Sequence, residues 1–461
     1  MVVMLYNASM KSAAESCVEK KMLNPLAAEL NEVIKRENPH LFAMLSPLGR
    51  RLYFPRGILA QGAEARQKAA RFDATLGVAY EGGRPMALPS VMQFFNGLTP
   101  AETLDYAPAT GRADLRELWQ QHLLQKNPTL AVKSFSLPIV VAGLTQALSI
   151  VGDMFVSEGD LLLLPDKYWE NYDLIFGVRR QARLQFYSFF NPAGGFNVAA
   201  LEAALDAQPP GAKIILIFNF PNNPTGYALL KNEMQSVVDL LCSKAETGYN
   251  LVVICDDAYF GLYYHEEVAH ESLFAHLAGA HPRLLAVKAD AATKEDFVWG
   301  FRIGMLTFSA VAAADAASLY GALEKKVAGA IRSTVSNCSH PAQSILAKAL
   351  RAPSLAAEQH EKRSILEARA KKVQELLAKP EYQDLWEPYP FNAGYFMCLR
   401  LNHLEAERYR RYLLEKYGVG VIADGAENVR VAFAAVELDR LEELFEILAS
   451  AARELRNHSS G

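Results

Sequence analysis

Seven short apolar runs, separated by helical stretches, dominate the middle of this 461-residue chain. They are IVVAG at 139–143, LLLLP at 161–165, LQFYSF at 184–189, IILIFN at 214–219, LVVICD at 251–256, LLAVK at 284–288 and IGMLTF at 303–308. Runs that are apolar throughout suit strands buried on both faces. Helices between successive strands suit right-handed crossovers, which return the chain parallel to itself. The pattern predicts one large α/β domain built on a seven-stranded, mostly parallel sheet flanked by helices. Such a domain leaves residues over, and a chain this long has room for a second, smaller lobe.

The flanks read differently. Residues 1–70 form a mostly helical arm, with AAELNEVIKREN spaced as a helix and turn signals around SPLGRRLYFPRG. After about residue 310 the strand rhythm gives way to long helical tracts. From about Pro388 it resumes as YFMCLRL, VGVIA and VRVAFA between helices, a small α+β lobe.

A formal charge of −4 gives no reason to expect nucleic acid or a membrane surface as partner, so any bound phosphate must be held by local cations. The five cysteines, Cys17, Cys242, Cys255, Cys338 and Cys398, are odd in number and widely spaced, which indicates neither a zinc site nor a disulfide framework. No run reaches the roughly 18 apolar residues of a membrane helix, and the first residues carry no clear signal peptide. The cytoplasm is the expected location.

In open α/β sheets ligands bind beyond the carboxyl ends of the strands, so the residues that follow each run matter most. Gly143-Leu144-Thr145 opens a helix after the first run. Free N–H groups, the helix dipole and a hydroxyl there make a phosphate site, or else a plain glycine turn with a threonine cap. Asp166 to Tyr172 brings three aromatic residues, able to stack on a flat heterocycle or simply to pack under a loop. Phe220-Pro221-Asn222-Asn223-Pro224-Thr225-Gly226 reads as a tight, fixed turn with an amide at its rim and a candidate cis bond before Pro224. Asp256 and Asp257 end the fifth run, costly carboxylates unless a positive group is near. A protonated ring nitrogen would supply it; metal binding is the rival reading. Lys294 lies in the loop after the sixth run, with Arg302 eight residues on in Gly-Phe-Arg-Ile-Gly. A buried or cation-flanked lysine becomes an amine nucleophile, and an arginine clamps phosphate.

Five such motifs in this order resemble the class I/II aminotransferases, enzymes of fold type I that use pyridoxal 5'-phosphate. The resemblance covers roughly residues 70 to 440. It implies a large cofactor-binding domain over 95–345 and a small domain made of 71–94 and 346–461. It implies that Lys294 carries the cofactor covalently and is the catalytic residue. Asp256 would pair with the pyridinium nitrogen, Asn223 and Tyr259 would bond the phenolic oxygen, and Trp169 would stack on the ring. Thr145, Arg302 and the N–H of Leu144 would hold the phosphate. Tyr106, in Leu-Asp-Tyr-Ala-Pro-Ala-Thr-Gly, would reach the phosphate of a partner subunit, which implies a homodimer with shared active sites. Arg430, in Val-Arg-Val-Ala-Phe-Ala, would grip the substrate α-carboxylate. Gly77 belongs to a stretch resembling the substrate lid. Arg332 resembles the arginine that reads a distal carboxylate across the dimer, or is a structural arginine on a long helix.

Two departures stand out. Alanine occupies position 291, where the family commonly has a phosphate-binding serine; Thr293 is the candidate replacement. Lys-Glu-Asp-Phe-Val-Trp also stands where small, glycine-rich residues are more usual. The implied activity is ping-pong transfer of an amino group between an α-amino acid, such as aspartate or glutamate, and a 2-oxo acid. A lyase or synthase acting at Cβ or Cγ would use the same residues. A non-catalytic regulator is disfavoured, because residues 1–70 show no evident helix-turn-helix with a basic face.

Overall fold

A computed structural model of the chain describes residues 23–55 and 57–457; the start of the expected arm lies outside the described residues. The seven runs form strands β1 (Ile139–Val141), β2 (Leu161–Pro165), β3 (Arg183–Tyr187), β4 (Lys213–Asn219), β5 (Asn250–Asp256), β6 (Leu284–Asp290) and β7 (Gly304–Ser309). They join in the order β1-β7-β6-β5-β4-β2-β3. All neighbours from β6 to β3 are parallel, while β7 is antiparallel to both β6 and β1. The exception has a local cause. A one-turn helix, Ala292–Glu295, a single 3-10 turn, Trp299–Phe301, and short loops separate β6 from β7. Without a crossover helix the chain turns straight back. The loop holding Lys294 and Arg302 therefore sits on the same rim as the other strand exits.

Except in the edge strand β3, where Phe186 is exposed, the apolar runs are buried on both faces, because side chains alternate across a strand. Ile214, Leu216 and Phe218 of β4 enter one core, with Leu201, Leu205, Val237 and Leu241 from helices Val198–Asp206 and Lys231–Glu246. Ile215 and Ile217 enter the opposite core, with Leu148 and Val151 of helix Leu144–Phe155 and Val327 and Ile331 of helix Ala316–Thr334. A one-residue register slip would exchange the two sets.

A four-stranded antiparallel sheet follows: β8 (Trp386–Pro388), β9 (Met397–Leu401), β10 (Ile422–Asp424) and β11 (Asn428–Val431), in the order β8-β9-β11-β10. Helices Leu355–Leu377 and Leu441–Asn457 pack beside it through Leu366, Ala370 and Val373 and through Leu444, Phe445 and Leu448. Phe72–Asp73 adds a parallel pairing to Val419–Gly420. Three short helices, Pro25–Glu37, Pro39–Met44 and Pro47–Arg51, precede these elements. Each starts with proline at its first position and a capping Asn24, Asn38 or Ser46 whose side chain accepts a backbone N–H. Helix α1 (Ile58–Lys68) comes next. Among the described residues no helix is long and apolar enough to cross a membrane.

Candidate active site

The carboxyl ends of β4 and β5, the loop after β6, the starts of helices Leu144–Phe155 and Ile58–Lys68, residues 75–78, Phe396 before β9 and Arg430 of β11 surround one cavity of about 440 Å³. Gly77, Leu144, Thr145, Trp169, Asn223, Asp256, Tyr259, Lys294, Arg302 and Arg430 all line it. Tyr106 and Arg332 do not. Tyr106 is 89% exposed, and Arg332 is exposed and donates to Ser336 Oγ of its own chain. Both were expected to serve a second subunit.

Lys294 is held from two sides. Tyr395 donates its hydroxyl to the Lys294 carbonyl at 2.7 Å, and the Lys294 amine donates to the Gly77 carbonyl at 2.6 Å. A Cβ at Gly77 would stand 3.1 Å from that amine, so a side chain there would press on it. Burial, then the charges of Arg430 and Arg302, lower the Lys294 pKa to about 7. The amine is thus neutral in a large fraction of molecules near pH 7, as a nucleophile or base requires.

Asp256 and its neighbour Asp257 have different surroundings. Asp257 forms an ion pair with the wholly buried Lys288 and accepts from Ser272 Oγ at 2.6 Å. Asp256, only 2% exposed, accepts from the Tyr172 hydroxyl at 2.6 Å and has no cation against it among the described residues. Burial raises its pKa to about 6, although Tyr172 pulls the other way. A carboxylate left this way favours a positively charged group in the cavity.

The opposite end suits an anion. Gly143, at φ 77°, precedes helix Leu144–Phe155, and Arg302 lies over it so closely that a Cβ on Gly143 would be 2.5 Å from Arg302 Nη2. Arg302 itself sits in the left-handed region at φ 53°. A guanidinium facing a helix N-terminus puts like charge on like, and an anion between them relieves it. The Thr293 hydroxyl lines the same cavity, buried and without a hydrogen-bond partner among the described residues. Ala291 does not line it.

Arg430, in β11, is buried and donates to Asn223 Oδ1 and to the Thr75 carbonyl, both at 2.9 Å. Its guanidinium lies 4.2 Å from the Phe396 ring centre. Asn223 is fixed in turn by Asn219, whose Oδ1 accepts the Asn223 N–H at 2.8 Å. The peptide bonds before Pro221 and Pro224 are both cis. Trp169 meets Tyr172 edge to face, with ring centres 5.6 Å apart.

Sequence reasoning missed Tyr172, Asn219, Thr75 and the Lys288–Asp257 pair. Lys288 left a signal: a lysine at the end of an apolar strand must find a carboxylate, and Cys255 on β5 is its register partner, two residues before Asp257. It also missed Ile58, Leu59, Gly62 and Arg66, which carry α1 into the cavity.

A reactive lysine, a buried carboxylate awaiting a cation and an anion cradle at the strand exits fit pyridoxal 5'-phosphate, and the architecture is that of fold type I, aspartate-aminotransferase-like enzymes. Residues 79–448 match the aminotransferase class I and II family model, and the chain belongs to that family. Among curated relatives, a probable aspartate/prephenate aminotransferase of Aquifex aeolicus is 26% identical over 76% of this chain and 84% of its own length. A probable N-acetyl-LL-diaminopimelate aminotransferase of Bacillus subtilis is 26% identical over 44% of this chain, which spans 47% of that relative. Among solved structures, an aminotransferase from Anaerococcus prevotii is 24% identical, with a TM-score of 0.77 over 89% of this chain and 99% of its own. An aspartate aminotransferase from Thermus thermophilus, solved with maleate, is 21% identical, with a TM-score of 0.70 over 88% and 99%. At these identities the structural likeness is one of fold.

Proposed function

We propose that this chain is a pyridoxal-phosphate-dependent aminotransferase that moves an amino group between an α-amino acid and a 2-oxo acid. The observation that carries the reading is the pairing, in one cavity, of Lys294, with its pKa lowered to about 7, and Asp256, buried without a cation against it among the described residues. When bound, the cofactor supplies an electron sink for the pair released at the substrate Cα. The protein supplies the rest. Asp256 holds a proton at the ring nitrogen by its negative charge. Trp169 covers the ring, and Asn223 and Tyr259 donate to its phenolic oxygen. Arg302, Thr145, Thr293 and the Leu144 N–H bind the phosphate. Arg430 binds the substrate α-carboxylate and thereby orients the Cα–H bond. The Lys294 amine takes the Cα proton and returns it at the acceptor carbon, first as base and then as acid.

Exposed Tyr106 supports a homodimer in which it reaches the phosphate of the other copy. We read 95–345 as the large domain and 71–94 with 346–461 as the small one, and the cytoplasm as the location. The test is the visible spectrum of the purified protein with and without amino acids. A cofactor band that bleaches as a donor amino acid is added is expected; a colourless protein that takes up no pyridoxal phosphate overturns the reading.

A further inference from the structure

We propose that Arg66 reads a carboxylate at the far end of the substrate side chain, so that the substrates are acidic amino acids and the matching 2-oxo diacids; this rests on the transaminase reading. Two anchors fasten α1 to the small lobe. Gln61 exchanges hydrogen bonds of 3.0 and 2.8 Å with the backbone of Ala423, and Arg410 donates to Glu64 at 2.9 Å. They set which face of α1 meets the cavity: Ile58, Leu59, Gly62 and Arg66, residues that share one side of a helix. Gly62 abuts Thr75, since a Cβ there would lie 3.6 Å from Thr75 Oγ1, and the Thr75 carbonyl holds Arg430. Arg66 follows one helical turn later, about 6 Å along the axis.

Charge then singles it out. Among the described residues four cations and one carboxylate line the cavity: Arg66, Lys294, Arg302, Arg430 and Asp256. In the proposed reaction Arg302 meets the phosphate, Arg430 the α-carboxylate, Asp256 the ring nitrogen, and Lys294 the transferred proton. Arg66 alone is left without an anion. No ion pair or side-chain hydrogen bond ties it to another described residue. An exposed, untied guanidinium can turn its fork onto a carboxylate without breaking an existing bond. Arg332, by contrast, donates to Ser336 and stands outside this chain's cavity.

The experiment compares binding of glutarate and pentanoate, equal in carbon number, to the cofactor-loaded protein by titration calorimetry. It uses the wild type and the variants Arg66→Gln, Arg66→Lys and Arg332→Gln. A charge-assisted bidentate contact is worth about 10- to 100-fold in affinity. The preference for glutarate is expected to fall by that factor in Arg66→Gln, to return partly in Arg66→Lys and to hold in Arg332→Gln. In turnover, kcat/KM for glutamate falls in Arg66→Gln while that for norvaline holds. An unchanged preference in Arg66→Gln overturns the proposal, as does a preference lost only in Arg332→Gln, which would hand the role to the partner copy. Should no donor transfer its amino group, the transaminase reading fails by itself, and the binding ratio still decides the role of Arg66.

Discussion

Replacing Asp256 with asparagine isolates the buried charge that the proposed function assigns to the cofactor's ring nitrogen. The Asp256 pKa stands at about 6 against an ordinary 3.8, and the cause is burial. A shift of about two units, at about 1.4 kcal/mol each, means that ionised Asp256 costs the cofactor-free fold roughly 3 kcal/mol at neutral pH. The sign follows from the direction. The folded pKa lies above the unfolded one, so stability tied to Asp256 is fully present below about pH 4 and is lost as pH rises through about 6. Asparagine carries no charge, and its amide oxygen still accepts from Tyr172. Urea unfolding of cofactor-free wild type and Asp256→Asn, at intervals from pH 4.5 to 8, reads the difference. Across this range wild type should lose about 2 kcal/mol of stability relative to the variant, the first third of the total having gone below pH 4.5, and level off above pH 7. With the cofactor bound the order should reverse, because a ring-nitrogen cation offsets aspartate and does nothing for asparagine. Parallel stability profiles for the two cofactor-free proteins would refute the account.

Two further outcomes test the other ends of the site. With the Lys294 pKa lowered to about 7, the neutral amine gains population between pH 6 and 8. Stopped-flow absorbance should show covalent capture of pyridoxal phosphate by cofactor-free protein accelerating through about pH 7 and then flattening; acceleration continuing to pH 10 would show an ordinary lysine. Gly143→Ala forces a side chain onto Arg302 at a positive φ. Equilibrium dialysis should show pyridoxal phosphate bound about 10-fold more weakly or worse, the loss of one charge-assisted contact, and unchanged affinity would move the phosphate elsewhere.

The sheet was legible because β4, β5 and β6 are apolar on both faces, a pattern with few other uses. The antiparallel turn into β7 was not, since it depends on how little helix the 291–303 segment contains. Trp386–Pro388 was invisible for a related reason: three residues, one of them proline, carry no periodicity. In the site, residues at strand exits could be found from sequence position. Residues that act through those were hidden. Tyr172 sat in plain view among three aromatics, yet only the fold brings its hydroxyl to Asp256. The cavity face of α1 escaped because Ile58, Leu59, Gly62 and Arg66 read as an ordinary helix until Gln61 and Glu64 are seen to fix its rotation.

The acidic pair after Lys294 shows how far adjacency in sequence can mislead. Glu295 and Asp296 beside Lys294 would be expected to favour its charged form and raise its pKa. They do not, because the one-turn helix Ala292–Glu295 points them away from the cavity. Glu295 pairs with Lys126 near His122, and Asp296 accepts from Gln359. The charges that act on Lys294 are Arg430 and Arg302, and both lower its pKa. The unusual Glu-Asp stretch therefore anchors the loop from behind, while Phe297, at φ 55°, turns the chain toward Arg302. A glycine-rich loop would reach the same rim with less to hold it. Here buried polar contacts fix the backbone of Lys294, and the Thr293 hydroxyl, unpaired among the described residues, is the group proposed to stand in for the phosphate donor that Ala291 lacks.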